Sequence, residues 1–287
     1  MTGAFHEVSD RVWVSRREWL DTTAAVIAGQ DGVLLVDTHG STRAGRALVD
    51  DVRALGIGEV TGVVNTHWHF DHTFGNRAVL DAYGPVPVYA HEEACAELEK
   101  FGPGALATRA VVGHPESEGH HEEVGETEIA LPTHTFSSVR ILDLGDRQVE
   151  LVHPGRGHTA GDLVVNVPDA GVLIAGDLVE QSGAPCFGED SWPLDWPLAL
   201  DFVLGMLRPE TVVVPGHGGS VDLAYVQEQR GAIGVVAETI RDLAGRGVRV
   251  EDALGAAQWP YLPEGLGHAV ARGYQHLPRS QKRLPLI

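Results

Sequence analysis

Short apolar runs, separated by glycine, proline and acidic residues, set the rhythm of this chain. Val12–Val14, Ala24–Ala28 and Val33–Val36 are close together and read as strands, and Asp31-Gly32 between the last two is a hairpin signal. From Ser41 to Leu55 the period changes. Ala44, Ala47, Leu48, Val52 and Leu55 recur at helical spacing, Ser41 or Thr42 can cap the start, and Gly56 and Gly58 close it. Val60–Asn65 then reads as a buried strand. A helix from about Asn76 to Tyr83, a strand at Pro87–Ala90 and a helix over Glu92–Lys100 follow. Ile141–Leu151 predicts one hairpin, and Leu163–Val167 with Val172–Ala175 predicts another. A helix at Leu198–Leu207, a strand at Thr211–Val214 and helices at Val221–Leu243, Glu251–Ala257 and Leu266–Tyr274 complete the series. The strand–helix–strand order indicates an α/β (α+β) class.

Ligand-type residues gather where these strands end. His67-Trp68-His69-Phe70-Asp71-His72 puts three imidazoles and a carboxylate into six residues. His67, His69 and Asp71 alternate, so on an extended segment they project to one side. Asp71 and His72 are adjacent and share that side only if the chain turns. Three more candidates, His158, Asp177 and His217, each come soon after a short apolar run and sit beside glycine, which permits tight turns. The second predicted hairpin brings His158 and Asp177 to one sheet end. Seven donors suffice for two metal ions with open positions, as a catalytic site requires. The other histidines (His6, His39, His91, His114, His120, His121, His134, His153, His268 and His276) read as ordinary surface or core residues.

This pattern resembles the metallo-β-lactamase superfamily of metallohydrolases. The resemblance rests on Asp37 after Gly32–Val36, on the His67–His72 motif, and on His158, Asp177 and His217, and it spans about Val12 to Gly219. It implies a four-layer αββα sandwich with the metal site at one edge between the sheets. His67, His69 and His158 would hold one metal and Asp71, His72 and His217 the other. Asp177 would bridge them together with a hydroxide, and Asp71 would be the catalytic carboxylate that orients the nucleophile and shuttles its proton. Asp37 and Asp162 are the candidates for fixing the histidine tautomers from behind. The expected cofactors are two divalent ions, zinc first, with iron or manganese as alternatives. Antibiotic-hydrolysing members carry cysteine or serine where this chain has Asp177; an aspartate looks more like glyoxalase II and lactonase-type members. The interval between His72 and His158 is long for such a core, so a lid insertion is expected over residues 101–135, with an irregular acidic stretch from Gly113 to Glu128. The expected organisation is one domain over residues 1–287, with a C-terminal helical tail, 221–287, packed on the sandwich.

Composition narrows the function. Apolar residues make up 43% of 287 residues, enough for one large core or two modest ones, and no run approaches a membrane span. Only Cys95 and Cys186 are present, and the N-terminus lacks a basic region followed by an apolar stretch. A reduced, cytoplasmic protein is expected. The formal charge of −19 repels phosphate backbones, which argues against a nucleic-acid partner. The leading expectation is a dinuclear hydrolase attacking an ester, thioester, lactone or amide carbonyl of a small molecule, with no membrane partner. Oligomeric state has no signature in the chain. The rivals are a phosphodiesterase or nuclease on the same site, a mono-iron persulfide dioxygenase, and a non-catalytic metal-binding protein. A glyoxalase II-type enzyme would draw on basic groups in the C-terminal helices, for which Arg272, Arg279, Lys282 and Arg283 are available. A lactonase would draw on a tyrosine near the metals, for which Tyr225 is the candidate. Cys186 could lie near the site, though a small buried hydrophobe is the simpler reading. Ser191–Pro197, stiffened by two Trp and two Pro, is either a pocket wall or a packed loop.

Overall fold

The computed structural model describes residues 4–100 and 119–282. Its strands are β1 (His6–Ser9), β2 (Val12–Arg16), β3 (Thr23–Gly29), β4 (Gly32–Val36), β5 (Val60–Val64), β6 (Val88–His91), β7 (His134–Phe136), β8 (Val139–Asp143), β9 (Gln148–Val152), β10 (Val164–Val167), β11 (Val172–Glu180) and β12 (Val212–His217). The helices are α1 (Thr42–Ala54), α2 (Phe70–Thr73), α3 (Asn76–Tyr83), α4 (92–100), α5 (His121–Gly125), α6 (Trp196–Met206), α7 (Leu223–Gly245) and α8 (Gly267–His276). Strands β1 to β7 form one sheet in sequence order, antiparallel up to β4 and parallel from there on. The second sheet runs β12-β11-β10-β9-β8, parallel only between β11 and β12.

Alternation along the strands sorts the side chains into layers. Ala25 and Ile27 of β3 and Leu34 and Val36 of β4 face Val149, Leu151, Val165 and Val167 of the second sheet. On the other face, Ala24, Val26, Val33 and Leu35 meet Leu48, Val49 and Val52 of α1 and Val79 of α3. The outer face of the second sheet, Val164, Leu173 and Ala175, is covered by α6, α7 and α8 through Leu200, Val203, Ile233, Ile240 and Val270. The order is therefore helices, sheet, sheet, helices, the expected αββα sandwich with C-terminal helices added. Among the described residues no helix is long and apolar enough to cross a membrane.

Ser41 caps α1, its hydroxyl accepting from the Ala44 amide at 2.8 Å. The expected helix at Glu251–Ala257 is instead two short 3-10 turns, Val250–Asp252 and Leu254–Ala256. Gly255 weakens a full helix there. Of the expected lid, residues 101–118 lie outside the described residues, as do His114, Glu116 and Glu118. The rest of the acidic stretch is docked. Glu123 bonds Ser41, Val124 is fully buried, and His120 stacks on Trp19. Arg283 also lies outside the described residues.

Candidate metal centre

The site forms where β5, β11 and β12 reach one edge of the sandwich. After Val64 the chain leaves β5 through Asn65 and Thr66, presents His67 and His69, and turns at once into the single-turn helix α2. That turn lets Asp71 and His72 aim back at the strand end. Asp177 and His217 do not follow their strands, as the sequence suggests, but lie within β11 and β12. Gly176, at φ +54°, sits at a register shift between the two strands. Such a bulge re-aims the following side chain, here Asp177.

The seven predicted donors come together. His67, His69, His158 and Asp177 form one group and Asp71, His72 and His217 another, with the ligand atoms of each group within 4.8 Å of one another. Asp177 lies between the groups. Its Oδ2 is 3.3 Å from His158 Nε2 and 3.2 Å from His217 Nε2, while its Oδ1 is 3.1 Å from His72 Nε2. His69 Nδ1 and His158 Nε2 approach to 2.8 Å. All of these side chains are buried except His69 and His217, which are partly exposed and mark the open side.

Each imidazole is held from behind. His72 Nδ1 faces Asp37 Oδ2 at 2.8 Å, His217 Nδ1 donates to the Leu20 carbonyl at 2.7 Å, and His158 Nδ1 donates to the Cys186 carbonyl at 3.0 Å. His67 Nδ1 is 3.1 Å from the Thr66 hydroxyl, which itself donates to Asp37 Oδ2 at 2.7 Å. His69 is reversed. Its Nε2 meets Asp190 Oδ2 at 3.1 Å, so its Nδ1 points inward. A proton fixed on the rear nitrogen leaves a lone pair facing the centre, the arrangement metal-binding histidines use. His67 Nε2 is buried and has no hydrogen-bond partner, which fits a nitrogen placed to ligate a metal. Five imidazoles and two carboxylates are a donor set suited to zinc, with iron and other first-row ions as alternatives.

The electrostatics agree with that reading. Burial pushes the Asp177 carboxyl up, but His217, His72, His67 and His158 together hold it well below the usual carboxylate range. Asp71 is depressed in the same way by His72 and His217. Burial would lower His217, yet Asp177 and Asp71 raise it to about 10, and His72 is raised well above its ordinary value for the same reason. Burial lowers His158 to about 4.

The residues around the donors divide differently from the sequence expectation. Asp37, at φ +58° just past β4, backs His72. Asp162 bonds no ligand histidine. It accepts from the Gly157 and Thr159 amides and the Thr159 hydroxyl, shaping the loop that carries His158. Asp190 has no counterpart in the sequence reading; the only hint was an acidic pair soon after Cys186. Cys186 is exposed rather than buried, and its carbonyl, not its thiol, is what reaches the site, behind His158. Ser191–Pro197 is a packed segment. Trp196 is fully buried against Phe187, and Trp192 stacks on His276. Tyr225 donates to the Glu180 carbonyl at 2.8 Å, and Arg272 is held by the Ser191 carbonyl and Gln275.

Residues 17–217 match the family model described as the metallo-beta-lactamase superfamily. A "Metallo-beta-lactamase type 2" of Bacillus sp. is 26% identical over 226 residues, covering 76% of this chain and 77% of its own. A "Hydroxyacylglutathione hydrolase" of Erythrobacter litoralis is 28% identical over 158 residues, covering 55% of this chain and 49% of its own. Among solved structures, a metallo-beta-lactamase from Pontibacter korlensis superposes with a TM-score of 0.63 at 24% identity, covering 80% of this chain and 97% of the other.

Proposed function

The chain belongs to the metallo-beta-lactamase superfamily and is a hydrolase, and we propose that it cleaves a carboxylic ester, thioester, lactone or amide of a small molecule with two divalent cations, zinc first. One observation carries this reading. Every histidine of the two donor groups is backed from behind with its free nitrogen turned inward, and Asp177 touches members of both groups. Bound there, two cations would supply Lewis acidity and a water with a pKa near neutrality. His67, His69 and His158 would hold one of them, Asp71, His72 and His217 the other, and Asp177 both.

The remaining chemistry belongs to the chain. Asp71 stays ionised and places Oδ2 3.3 Å from His217 Nε2 and 3.4 Å from the Thr22 hydroxyl. That oxygen is the acceptor that orients the attacking water and passes its proton on. Trp68, Phe70 and Trp19 form a largely buried aromatic cluster beside the donors, which keeps bulk water from that flank.

Relatives named for β-lactam and for hydroxyacylglutathione hydrolysis both stand near this chain. The carboxylate at Asp177, in place of cysteine or serine, favours the second kind of substrate over the first. The charge of −19 disfavours phosphodiesters. The test is a set of initial rates for zinc-loaded protein, with His69→Ala as the blank, on a thioester, a lactone, an aryl ester, a β-lactam and a phosphodiester. Hydrolysis confined to the carbonyl substrates and absent from the blank supports the reading. A rate only on the phosphodiester, or oxygen uptake on a persulfide with one iron per chain, overturns it.

A further inference from the structure

The helix layer on the second sheet stops short of its edge. Val152 of β9 and Val164 of β10 are buried under it, together with Ala199 and Val203 of α6. β8 is the outermost strand. Its Val139 and Ile141 stand opposite Val152 and Glu150 in the register, so they project to the helix side, yet both stay exposed. α6 lies at the end of β9, where a Cβ on Gly155 would be 3.7 Å from Ala199. The outer face of α6 continues the apolar surface. Leu198 and Phe202 are one turn apart and exposed, Leu198 at 68%, and Asp201 and Gly205 share their stripe. On α7, Gly231 and Val235 are exposed in the same way. Arg230 links the two helices, with two 2.6 Å bonds to Asp201. Of the eight large apolar side chains exposed among the described residues, five are on these elements: Val139, Ile141, Leu198, Phe202 and Val235. Exposed apolar groups that gather in this way mark a surface that a partner covers.

Charge decides which partner. The chain has 40 acidic and 21 basic residues, so two copies repel over most of their surfaces. On this face the acids carry their own cations. Asp201 is paired with Arg230, Asp195 with Arg156 and Glu238 with Arg241. Glu150, which accepts from Asn166, and the exposed Glu228 remain at the rim. A basic partner is drawn to the acidic surface elsewhere rather than to a face whose charges are already matched. A second copy brings the same apolar rows and the same matched pairs, with the least repulsion this chain offers.

We propose that the α6–α7 face, flanked by β8, is the interface of a two-fold homodimer. Two-fold pairing is the commonest closed arrangement, and it places one patch against itself. Leu198 and Phe202 of the two copies form its apolar centre. The Asp201–Arg230 pair of one copy meets that of the other, so that opposite signs alternate across the axis. Gly205 and Gly231 keep the relief low there, since a Cβ on either would meet nothing within 4 Å. The dimer uses no residue of the metal centre.

Sedimentation equilibrium on the full chain tests this, from about 1 to 100 µM. The expected result is a particle of twice the 30.7 kDa chain mass at the upper concentrations, tightened several-fold by high salt because the remaining surfaces repel. Phe202→Glu and Leu198→Glu should each weaken association at least tenfold. Leu262→Glu, at an equally exposed apolar position on another segment, should leave it unchanged. Circular dichroism checks that each variant keeps the fold. Asp201→Arg and Arg230→Asp chains should each fail to self-associate, and a mixture of the two should form a heterodimer. A chain that stays monomeric at every concentration and salt overturns the proposal, even if it captures some other protein through this face. So does a dimer indifferent to both Phe202→Glu and Leu198→Glu.

Discussion

Asp190 Oδ2 stands 3.1 Å from His69 Nε2 and 2.8 Å from Trp68 Nε1, so one carboxylate fixes two neighbouring side chains of the metal motif. Burial raises the Asp190 carboxyl, but His69, His158 and the Trp68 N–H outweigh it and hold the group ionised. His69 in turn is raised, burial notwithstanding, by Asp190. Asp190→Asn keeps the shape and removes the charge. Affinity of the first donor group for zinc should fall about 10- to 100-fold, as expected for loss of an outer partner, with the second group unchanged. A cobalt titration followed by absorbance resolves the two sites, and two unaltered binding steps would remove Asp190 from this role.

The segment carrying Asp190 is held in place from outside the family-matched region. Arg272 Nε of α8 donates to the Ser191 carbonyl at 3.1 Å, and Trp192 lies on His276 with ring centres 4.1 Å apart, with Arg156 over its other side at 3.7 Å. The Trp192 amide donates to Gly157 at 2.8 Å, next to His158. Arg272→Ala should therefore lower stability by about 1–2 kcal/mol, for a charge-assisted bond that is partly exposed. It should also weaken the first metal several-fold. Thermal melting of the metal-free chain and zinc titration separate the two effects; a lower Tm with unchanged zinc affinity would confine Arg272 to the fold.

Much of this centre was legible because ligand chemistry restricts residue types locally. His67–His72 announces itself within six positions, and Gly176 and Gly216 flank donors where the backbone must come close. The strands were legible for a related reason. With both faces buried, β3 and β4 are almost uninterrupted apolar runs. Asp190 was not legible, since a lone carboxylate in a loop reads like any surface acid until tertiary structure sets it behind His69. The same holds for the Leu20 and Cys186 carbonyls, because backbone acceptors leave no trace in side-chain identity. Asp162 was a candidate for fixing a ligand histidine, but its donors are the Thr159 hydroxyl and the Gly157 and Thr159 amides of its own loop. The second helix of the C-terminal tail failed for want of propensity at Gly255, and the docking of His120 on Trp19 depends on a contact across 101 positions of chain.

Gly216 gives a sharper test of the bridging position. A Cβ there would lie 1.8 Å from Asp177 Oδ1 and 2.9 Å from the Asp177 amide nitrogen. The second contact is with backbone and is not relieved by a rotamer change. Gly216→Ala should push Asp177 off the midline between the donor groups, with overpacking worth about 1–3 kcal/mol of stability. Zinc stoichiometry should fall below two per chain, and activity with it, while circular dichroism still reports the sandwich. Two tightly bound zinc ions and a rate near wild type would show that Asp177 need not bridge.

Metal binding should release protons, and the sign follows from the site. In the metal-free chain the carboxylates Asp177 and Asp71 raise His217 to about 10 and His72 well above its ordinary value, so both are charged at neutral pH. A ligand histidine must be neutral. Zinc binding at pH 7.5 should therefore expel about two protons per chain from this pair, and affinity should rise with pH until His217 titrates. The metal-free fold should respond in the opposite direction. A histidine raised from 6.5 to about 10 contributes stability that is complete below pH 6.5 and is lost as pH climbs toward 10. Calorimetry in buffers of different ionisation enthalpy counts the protons directly. A count of zero, together with a metal-free Tm that does not decline from pH 7 to pH 10, would mean that His217 and His72 are already neutral and that the pairing with Asp177 and Asp71 carries no charge.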